Sequence, residues 1–245
     1  MRSGFRIVVL FFLVIRVVLV LITLTVIIDI LEIDRHIADR LYGWEGHSWS
    51  LKNAWVTAVL IHLGGKYFSI LLLMIVCTLF LSSFLASSIR FSSFSSFCHF
   101  PSLRAWRLRL GYLLVAAILG SLSVSVGKAV SNISCPWDFA RYGGTLEYLS
   151  LFEQLQVRNG SHCFPAGHAS AGFAWVALYF VGLHTCSSWR WLALGFAVLL
   201  GVVFGISQQL RGAHFLSHDL WSFGVCWMVS LVCYQLILKP YESLQ

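Results

Sequence analysis

The sequence predicts an all-α polytopic membrane protein, a helical bundle with about six transmembrane helices. Of its 245 residues, 58% are hydrophobic and 11% are charged, whereas a soluble domain carries roughly 25% charged residues. The mean hydropathy is +0.81, and the apolar residues form long runs close to the roughly 20 residues that a spanning helix needs. We therefore interpret residues 1–245 as a single integral membrane domain.

Each apolar run is assigned to one spanning helix. The first run follows two arginines and is longer than the apolar core of a secretory signal peptide, roughly 7–15 residues, so we expect it to be retained. The fourth and fifth runs are short and should form a tight hairpin. The predicted spans are residues 6–30, 67–87, 108–126, 168–183, 189–206 and 220–238.

Two polar stretches separate the first three spans. Residues 31–66 contain three tryptophans, and apolar residues from Leu51 to His62 recur at helical spacing. This pattern is typical of a helix that lies in the membrane interface. Residues 82–101 are rich in Ser and Phe, which predicts an irregular loop.

The distribution of charge predicts the orientation in the membrane. Basic residues are concentrated before the first span, in the second and fourth connections and after the last span, whereas nearly all acids lie on the opposite side. Because basic loops stay on the cytoplasmic side, both termini should be cytoplasmic. The net charge of +7 is carried mainly on that side, and no nucleotide-binding or nucleic-acid motif accompanies it.

Four basic residues then fall at the outer edge of the membrane: Lys128, His168, Arg211 and His214. Ionisable residues are costly near hydrocarbon, so they are functional candidates there. If the segment is helical, His218 lies on the same face as Arg211 and His214. The other histidines, including His62, are assigned to the interface.

These residue types suit the chemistry of phosphate. An arginine guanidinium matches phosphate oxygens, and Lys128 would add a second cation. An imidazole such as that of His214 can attack phosphorus, and His168 can protonate the leaving oxygen. Gly167 would allow the backbone to approach the anion closely.

The cysteines divide according to the predicted side of the membrane. Cys135 and Cys163 share the long outer loop, where an oxidising compartment permits a disulfide. We predict that they form one, and the alternative is two free thiols.

Three ordered segments resemble the motifs of the type 2 phosphatidic-acid phosphatase family, the membrane branch of the acid-phosphatase and vanadium-haloperoxidase superfamily. The family motifs are Lys, six residues, Arg-Pro; Pro-Ser-Gly-His; and Ser-Arg, five residues, His, three residues, Asp. Here they cover about residues 128–220. They read as Lys128 followed by Cys135-Pro136, Pro165-Ala166-Gly167-His168, and Ser207-Gln208 followed by His214 and His218.

The departures from the family motifs leave some roles open. Arg141 is the candidate substitute for the missing arginine of the first motif, and Arg211 for that of the third. The favoured alternative for Arg141 is a pair with Asp138 within the loop. The third family motif ends in an aspartate that orients the nucleophilic histidine. At that position this sequence has His218, with Asp219 one residue later. The sequence leaves open whether His218, Asp219 or another acid such as Asp138 orients His214.

The resemblance implies a metal-independent lipid phosphatase without a cofactor, in which His214 becomes a phosphohistidine and His168 acts as the acid. Its substrate would be a lipid phosphomonoester or diphosphate of the bacterial envelope, such as lipid A phosphate, undecaprenyl diphosphate or phosphatidylglycerol phosphate. The protein would lie in the inner membrane, with a periplasmic active site. The alternatives are a lipid-to-lipid phosphotransferase with the same site and a non-catalytic lipid-binding membrane protein. The sequence does not predict the oligomeric state.

Overall fold

The computed structural model describes residues 2–85, 103–158 and 160–242, and these form helices without a β-strand. This confirms the predicted all-α fold. The α-helices are α1 (Arg2–Ile30), α2 (Ile33–Trp44), α3 (Gly64–Leu85), α4 (Leu103–Ser131), α5 (Leu151–Val157), α6 (Gly167–Phe173), α7 (Ala177–His184), α8 (Arg190–Leu210), α9 (Leu216–Cys233) and α10 (Lys239–Glu242). Two π-helical segments, Trp55–Leu63 and Tyr234–Leu238, adjoin α3 and α9.

Five helical segments of the described chain are long and apolar enough to cross a membrane: Val8–Ile30, Trp55–Leu85, Ala105–Asp138, Arg190–Leu210 and Leu216–Leu238. The protein is therefore an integral membrane protein. The remaining predicted span, the fourth at residues 168–183, is also helical, but it is divided into α6, a 3₁₀ turn (Ala174–Val176) and α7. Much of this divided segment is buried in the bundle, so its apolar character reflects packing against other helices.

Helices α6 and α8 cross at a point where only small residues fit. A Cβ atom added to Gly172 would lie 2.4 Å from the backbone nitrogen of Gly201, so the two backbones are in contact. Small residues allow such close packing between membrane helices, where burial from water contributes little to association. The crossing holds His168, near the start of α6, close to Arg211, which directly follows α8.

The interfacial helix predicted within residues 31–66 is not found as such. The segment Trp55–Leu63 is π-helical and continues directly into α3, so it extends the second span rather than lying beside it. The reason is that Gly64 keeps right-handed helical dihedrals, φ −60° and ψ −43°. Most of the predicted irregular loop, residues 86–101, lies outside the described residues.

The long loop between α4 and α6, predicted from the sequence to be the outer loop, is folded against the ends of the helices. Phe139 and Tyr142 pack with Phe215 and Ala38 in a buried cluster. The structure pairs Cys135 with Cys163 in a disulfide with a Cα–Cα distance of 5.3 Å. This bond ties the chain that follows α4 to the chain that leads into α6, and both carry candidate site residues.

Replacing both bridged cysteines by serine should lower the thermal unfolding temperature. The bridge joins residues 28 positions apart, and closing a loop of that size stabilises a fold by about 3–4 kcal/mol in the chain-entropy treatment. Unfolding of the detergent-solubilised double variant without reductant would measure this. Cys186→Ser, which changes an exposed free cysteine, should leave the unfolding temperature unchanged. Equal temperatures for the double variant and the wild type would contradict the expectation.

Candidate active site

The first and second motifs meet at one end of the bundle. Lys128 occupies the last turn of α4, and its Cδ atom lies 3.9 Å from the position that a Cβ of Gly167 would take. The backbone nitrogen of Ala166 donates to the carbonyl oxygen of His218 at 3.2 Å. The hydroxyl oxygen of Ser222 lies 2.9 Å from the carbonyl oxygens of Ala166 and His218. The second motif is thus anchored to the first turns of α9.

The third motif spans the end of one helix and the start of the next. Helix α8 ends at Leu210, Gly212 adopts φ +69°, and α9 begins at Leu216. A Cβ at Gly212 would lie 2.4 Å from the ring of Trp49, so glycine is required both for the turn and for this contact. His214 consequently lies in the connection between two helices. The condition for a common helical face with Arg211 and His218, a helix through all three residues, is therefore not met.

His214 and His218 form a buried imidazole pair. Their exposed fractions are 4% and 0%, and their Nδ1 atoms lie 3.4 Å apart. A hydrogen bond between two Nδ1 atoms needs the proton on only one of them. If His214 carries that proton, its Nε2 keeps the lone pair that a nucleophile requires.

Burial keeps His214 in the neutral form. Removal from water lowers the pKa of His214 well below its usual value, and the charges of His218 and Lys128 lower this pKa further. A neutral imidazole is the reactive form in nucleophilic attack. The site therefore holds His214 ready to react without a prior loss of a proton.

Asp219 has a different role from His218. Its Oδ2 accepts a hydrogen bond from Gln209 Nε2 at 2.7 Å, and its carboxylate packs against Gly205 of α8. Of the residues that the sequence left open for orienting His214, His218 is the one in hydrogen-bond contact with it. Asp138 instead accepts from the Cys135 amide at 2.9 Å and from the Ser161 hydroxyl.

Arg211 lies in a polar cluster with residues that the motifs do not include. Its Nη1 atom is 2.8 Å from His62 Nδ1, and its Nε donates to the Lys52 carbonyl at 2.8 Å. Gln208 Nε2 lies 3.0 Å from the same His62 nitrogen. These contacts hold the guanidinium at the membrane edge, close to the second motif.

His62 also contacts the second motif directly. Its ring stacks on that of His168, with a centroid distance of 3.7 Å and an interplanar angle of 27°. The hydroxyl of Ser69 in α3 donates to the carbonyl of Ala171 in α6 at 3.2 Å, which holds the two helices together beside the stack. The sequence alone predicts an interfacial position for His62. The signal that could have identified it as a site residue is an imidazole within an apolar helix.

A cavity of about 260 Å³ opens beside the two stacked rings. Its polar lining consists of His62, His168, Lys66 and Gln208, together with the backbone of Gly167. This lining contains a lysine and two imidazoles but no acid. Such a cavity suits an anion, since a cleft lined by one sign of charge concentrates the opposite charge.

Arg141, the predicted substitute for the arginine of the first motif, is engaged elsewhere. Its Nε and Nη2 atoms each donate to the carboxylate of Asp39 in α2 at 2.6 Å. This bidentate pair lowers the pKa of Asp39 and raises that of Arg141. The guanidinium of Arg141 therefore holds the outer loop on α2 and is not one of the groups around the cavity.

The fold and the site together define a class of protein: a helical integral membrane protein with a buried histidine pair next to a cationic cavity at the membrane edge. The family model described as the PAP2 superfamily matches residues 109–242, more than half of the chain, and the chain belongs to that superfamily. This membership supports a phosphatase activity in general. No curated protein and no solved structure matches the chain. His62 and Lys66 lie outside the matched residues.

His62→Leu should reduce kcat/KM for a phosphate substrate by roughly 10- to 100-fold, since hydrogen bonds to charged groups contribute about 1.5–3 kcal/mol. The variant removes the partner of Arg211 and the ring stacked on His168. His62→Gln, which retains a hydrogen-bond acceptor, should lose less activity. Steady-state kinetics of both variants would measure the effect. Equal losses in the two variants would show that the hydrogen bond to Arg211 is unimportant.

Proposed function

We propose that the protein is a membrane lipid phosphatase that acts through a phosphohistidine on His214. The observation that carries the proposal is the convergence of three separate motifs at one end of the bundle. Lys128 adjoins Gly167, the backbone of Ala166 is bonded to that of His218, and His218 contacts His214. Membership of a superfamily whose members are phosphatases supports the same conclusion.

In the first step, Nε2 of His214 attacks the phosphorus atom and the bond from phosphorus to the leaving oxygen breaks. Burial and the nearby His62, Lys128 and Arg211 lower the pKa of His168 to about 4, so His168 takes up its proton together with the anionic substrate. It then gives this proton to the leaving oxygen, which departs as an alcohol or a lipid phosphate. Arg211 and Lys128 offset the charge on the phosphoryl oxygens. His218 Nδ1 accepts the hydrogen bond from His214 Nδ1–H and stabilises the positive charge that develops on the ring.

In the second step, water attacks the phosphohistidine. Neutral His168 takes a proton from the water, the bond from nitrogen to phosphorus breaks, and inorganic phosphate leaves. His214 and His168 then return to their starting forms. This route uses side chains alone, and we propose that the reaction proceeds without a metal ion.

The proposed setting is the bacterial inner membrane, with both termini in the cytoplasm and the site in the periplasm. The charge distribution supports this orientation. A disulfide in the loop beside the site also suits an oxidising compartment. The proposed substrate is a lipid phosphomonoester or diphosphate of the envelope, whose head group would lie at the membrane edge beside the cavity.

Phosphate release by the purified protein from a panel of lipid phosphates, in the presence of a metal chelator, tests this proposal. The panel contains phosphatidate, phosphatidylglycerol phosphate, undecaprenyl diphosphate and lipid A phosphate. We expect release from at least one of them, and an acid-labile labelled protein after rapid quenching. Transfer of label to an added lipid, without free phosphate, would indicate a phosphotransferase instead. No reaction with any lipid would favour a non-catalytic lipid-binding protein.

A further inference from the structure

Helix α1 carries a charge near the middle of the most apolar of the five spans. Arg16 lies within Val8–Ile30, three residues from the middle of that segment, which is about 4.5 Å along the helix axis. The eight residues before it, 8–15, are all apolar. An arginine at this depth is costly, and such residues normally pair with a group of opposite charge.

The described part of the chain supplies no such group for Arg16. Its side chain is exposed on the outside of the bundle, and neither ion pair among the described residues involves it. No hydrogen bond from those residues reaches its guanidinium. The nearer end of the apolar segment, Val8, is about 12 Å away along the axis. This distance exceeds the length of an arginine side chain, so snorkelling towards water leaves the charge short of the head groups.

A groove of about 430 Å³ lies beside Arg16, between α1, α8 and α9. Apart from the guanidinium, its lining is uncharged and almost entirely apolar. Two contacts fix α1 on α9 along this groove. Gly224 lies so close to Leu21 that a Cβ atom would overlap the leucine side chain, and Trp221 Nε1 donates to Thr25 Oγ1 at 2.8 Å. The groove is therefore a fixed apolar surface that presents one positive charge.

A second copy of this chain does not offer the missing negative charge. The spans of the described residues contain three acids, Asp29, Asp138 and Asp219. Asp29 and Asp138 stand at or next to the ends of their segments. Asp219 is 6% exposed and accepts a hydrogen bond from Gln209. None of the three is exposed near the middle of a span, so a carboxylate at the depth of Arg16 has to come from a different protein.

We propose that this groove docks a transmembrane helix of another membrane protein, and that the helix carries one aspartate or glutamate near the middle of the bilayer. The carboxylate pairs with the Arg16 guanidinium, and apolar side chains on the same face of the helix fill the groove. Charge complementarity at this depth favours a helix over a phospholipid, whose phosphate lies at the head-group level. The surface shares no residue with the candidate active site, so the inference is independent of the proposed function.

Association with model transmembrane peptides tests this proposal without any turnover. The full-length protein, labelled with a fluorescent donor, is reconstituted in phosphatidylcholine vesicles with acceptor-labelled polyleucine peptides flanked by lysines. The peptides carry Asp, Asn or Leu at one position near the centre, and energy transfer measures binding. The protein variants are Arg16→Leu, which removes the charge, and Arg16→Lys, which keeps it. The matched control is Lys239→Leu, which removes a basic residue just beyond the end of the span Leu216–Leu238.

We expect the wild type to bind the Asp peptide roughly tenfold more tightly than the Leu peptide, since a polar contact between membrane helices contributes on the order of this factor. Arg16→Leu should bind the Asp and Leu peptides equally. Arg16→Lys should recover part of the preference, and Lys239→Leu should behave as the wild type does. Leucine is compatible with hydrocarbon, so Arg16→Leu should also keep the unfolding temperature and the phosphatase activity of the wild type.

Three outcomes would overturn the proposal. The first is equal binding of the Asp and Leu peptides by the wild type. The second is an undiminished preference for the Asp peptide in Arg16→Leu, which would place the contact elsewhere on the bundle. The third is loss of the Asp-peptide preference when phosphatidylglycerol is added, together with enrichment of that lipid around the wild type but not around Arg16→Leu. This last result would show that Arg16 pairs with an anionic head group. Equal binding of the Asn and Asp peptides would overturn the assignment of a charge pair.

Discussion

His214→Ala is expected to reduce phosphate release from lipid phosphates by about 10³-fold or more, the loss typical of an enzyme deprived of its nucleophile. The imidazole of His214 is buried, neutral and hydrogen-bonded to His218. Without it no phosphohistidine can form, and Arg211, Lys128 and His168 could only bind the substrate. The defect should therefore appear in kcat, with a smaller change in KM.

This effect would be measured from initial rates and from the amount of labelled phosphoprotein trapped by a quench that avoids acid. His36→Ala is the matched control, because His36 is an exposed histidine of α2 on the same side of the protein, and it should keep full activity. A second variant, His214→Asn, retains a polar side chain in the buried position and guards against a folding defect. Activity within tenfold of the wild type in both His214 variants, with unchanged unfolding temperatures, would exclude His214 as the nucleophile.

His168→Ala is expected to reduce the rate with a lipid phosphate by about 10²- to 10⁴-fold, the usual contribution of general acid–base catalysis. The alkoxide of a lipid is a poor leaving group and needs a proton as the bond to phosphorus breaks. The structure places His168 at the cavity, stacked on His62 and next to Gly167. A bound phosphate would supply the negative charge that favours the protonated form of His168.

Comparison of two substrates separates acid catalysis from a loss of binding. A substrate with a good leaving group, such as p-nitrophenyl phosphate, needs no protonation, so His168→Ala should slow its first step much less than that of a lipid phosphate. Arg141→Ala is a suitable control, because this exposed arginine is paired with Asp39 away from the cavity. The same loss of rate with both substrates would show that His168 binds the phosphate or holds the site, rather than donating a proton.

The family motifs predict only some of the residues of this divergent site. Lys128, Gly167, His168 and His214 could be predicted because each lies in a short segment whose order and spacing match a family pattern. The residues that take the place of the missing motif residues could not be assigned in this way. Arg141 was the candidate substitute for the phosphate-binding arginine of the first motif, and the structure pairs it with Asp39 instead.

The sequence left open whether the third motif forms a regular helix, and the structure shows a local break in it. Hydropathy and spacing do not reveal that the chain turns at Gly212, where a positive φ and contact with Trp49 both require glycine. The turn places His214 between two helices and His218 in the first turn of α9. Their contact at 3.4 Å therefore arises from the turn rather than from a shared helical face.

The sequence by itself determined that the protein is an all-α integral membrane protein, roughly where its spans lie, and which histidines and lysine belong to family motifs. These are properties of composition and of short segments, because a bilayer selects long apolar runs regardless of how they pack. Only the three-dimensional structure shows that His62 joins the site and that Arg141 does not. His62 and Arg211 are 149 positions apart, and only the packing of the segment Trp55–Leu63 against α8 brings them into contact.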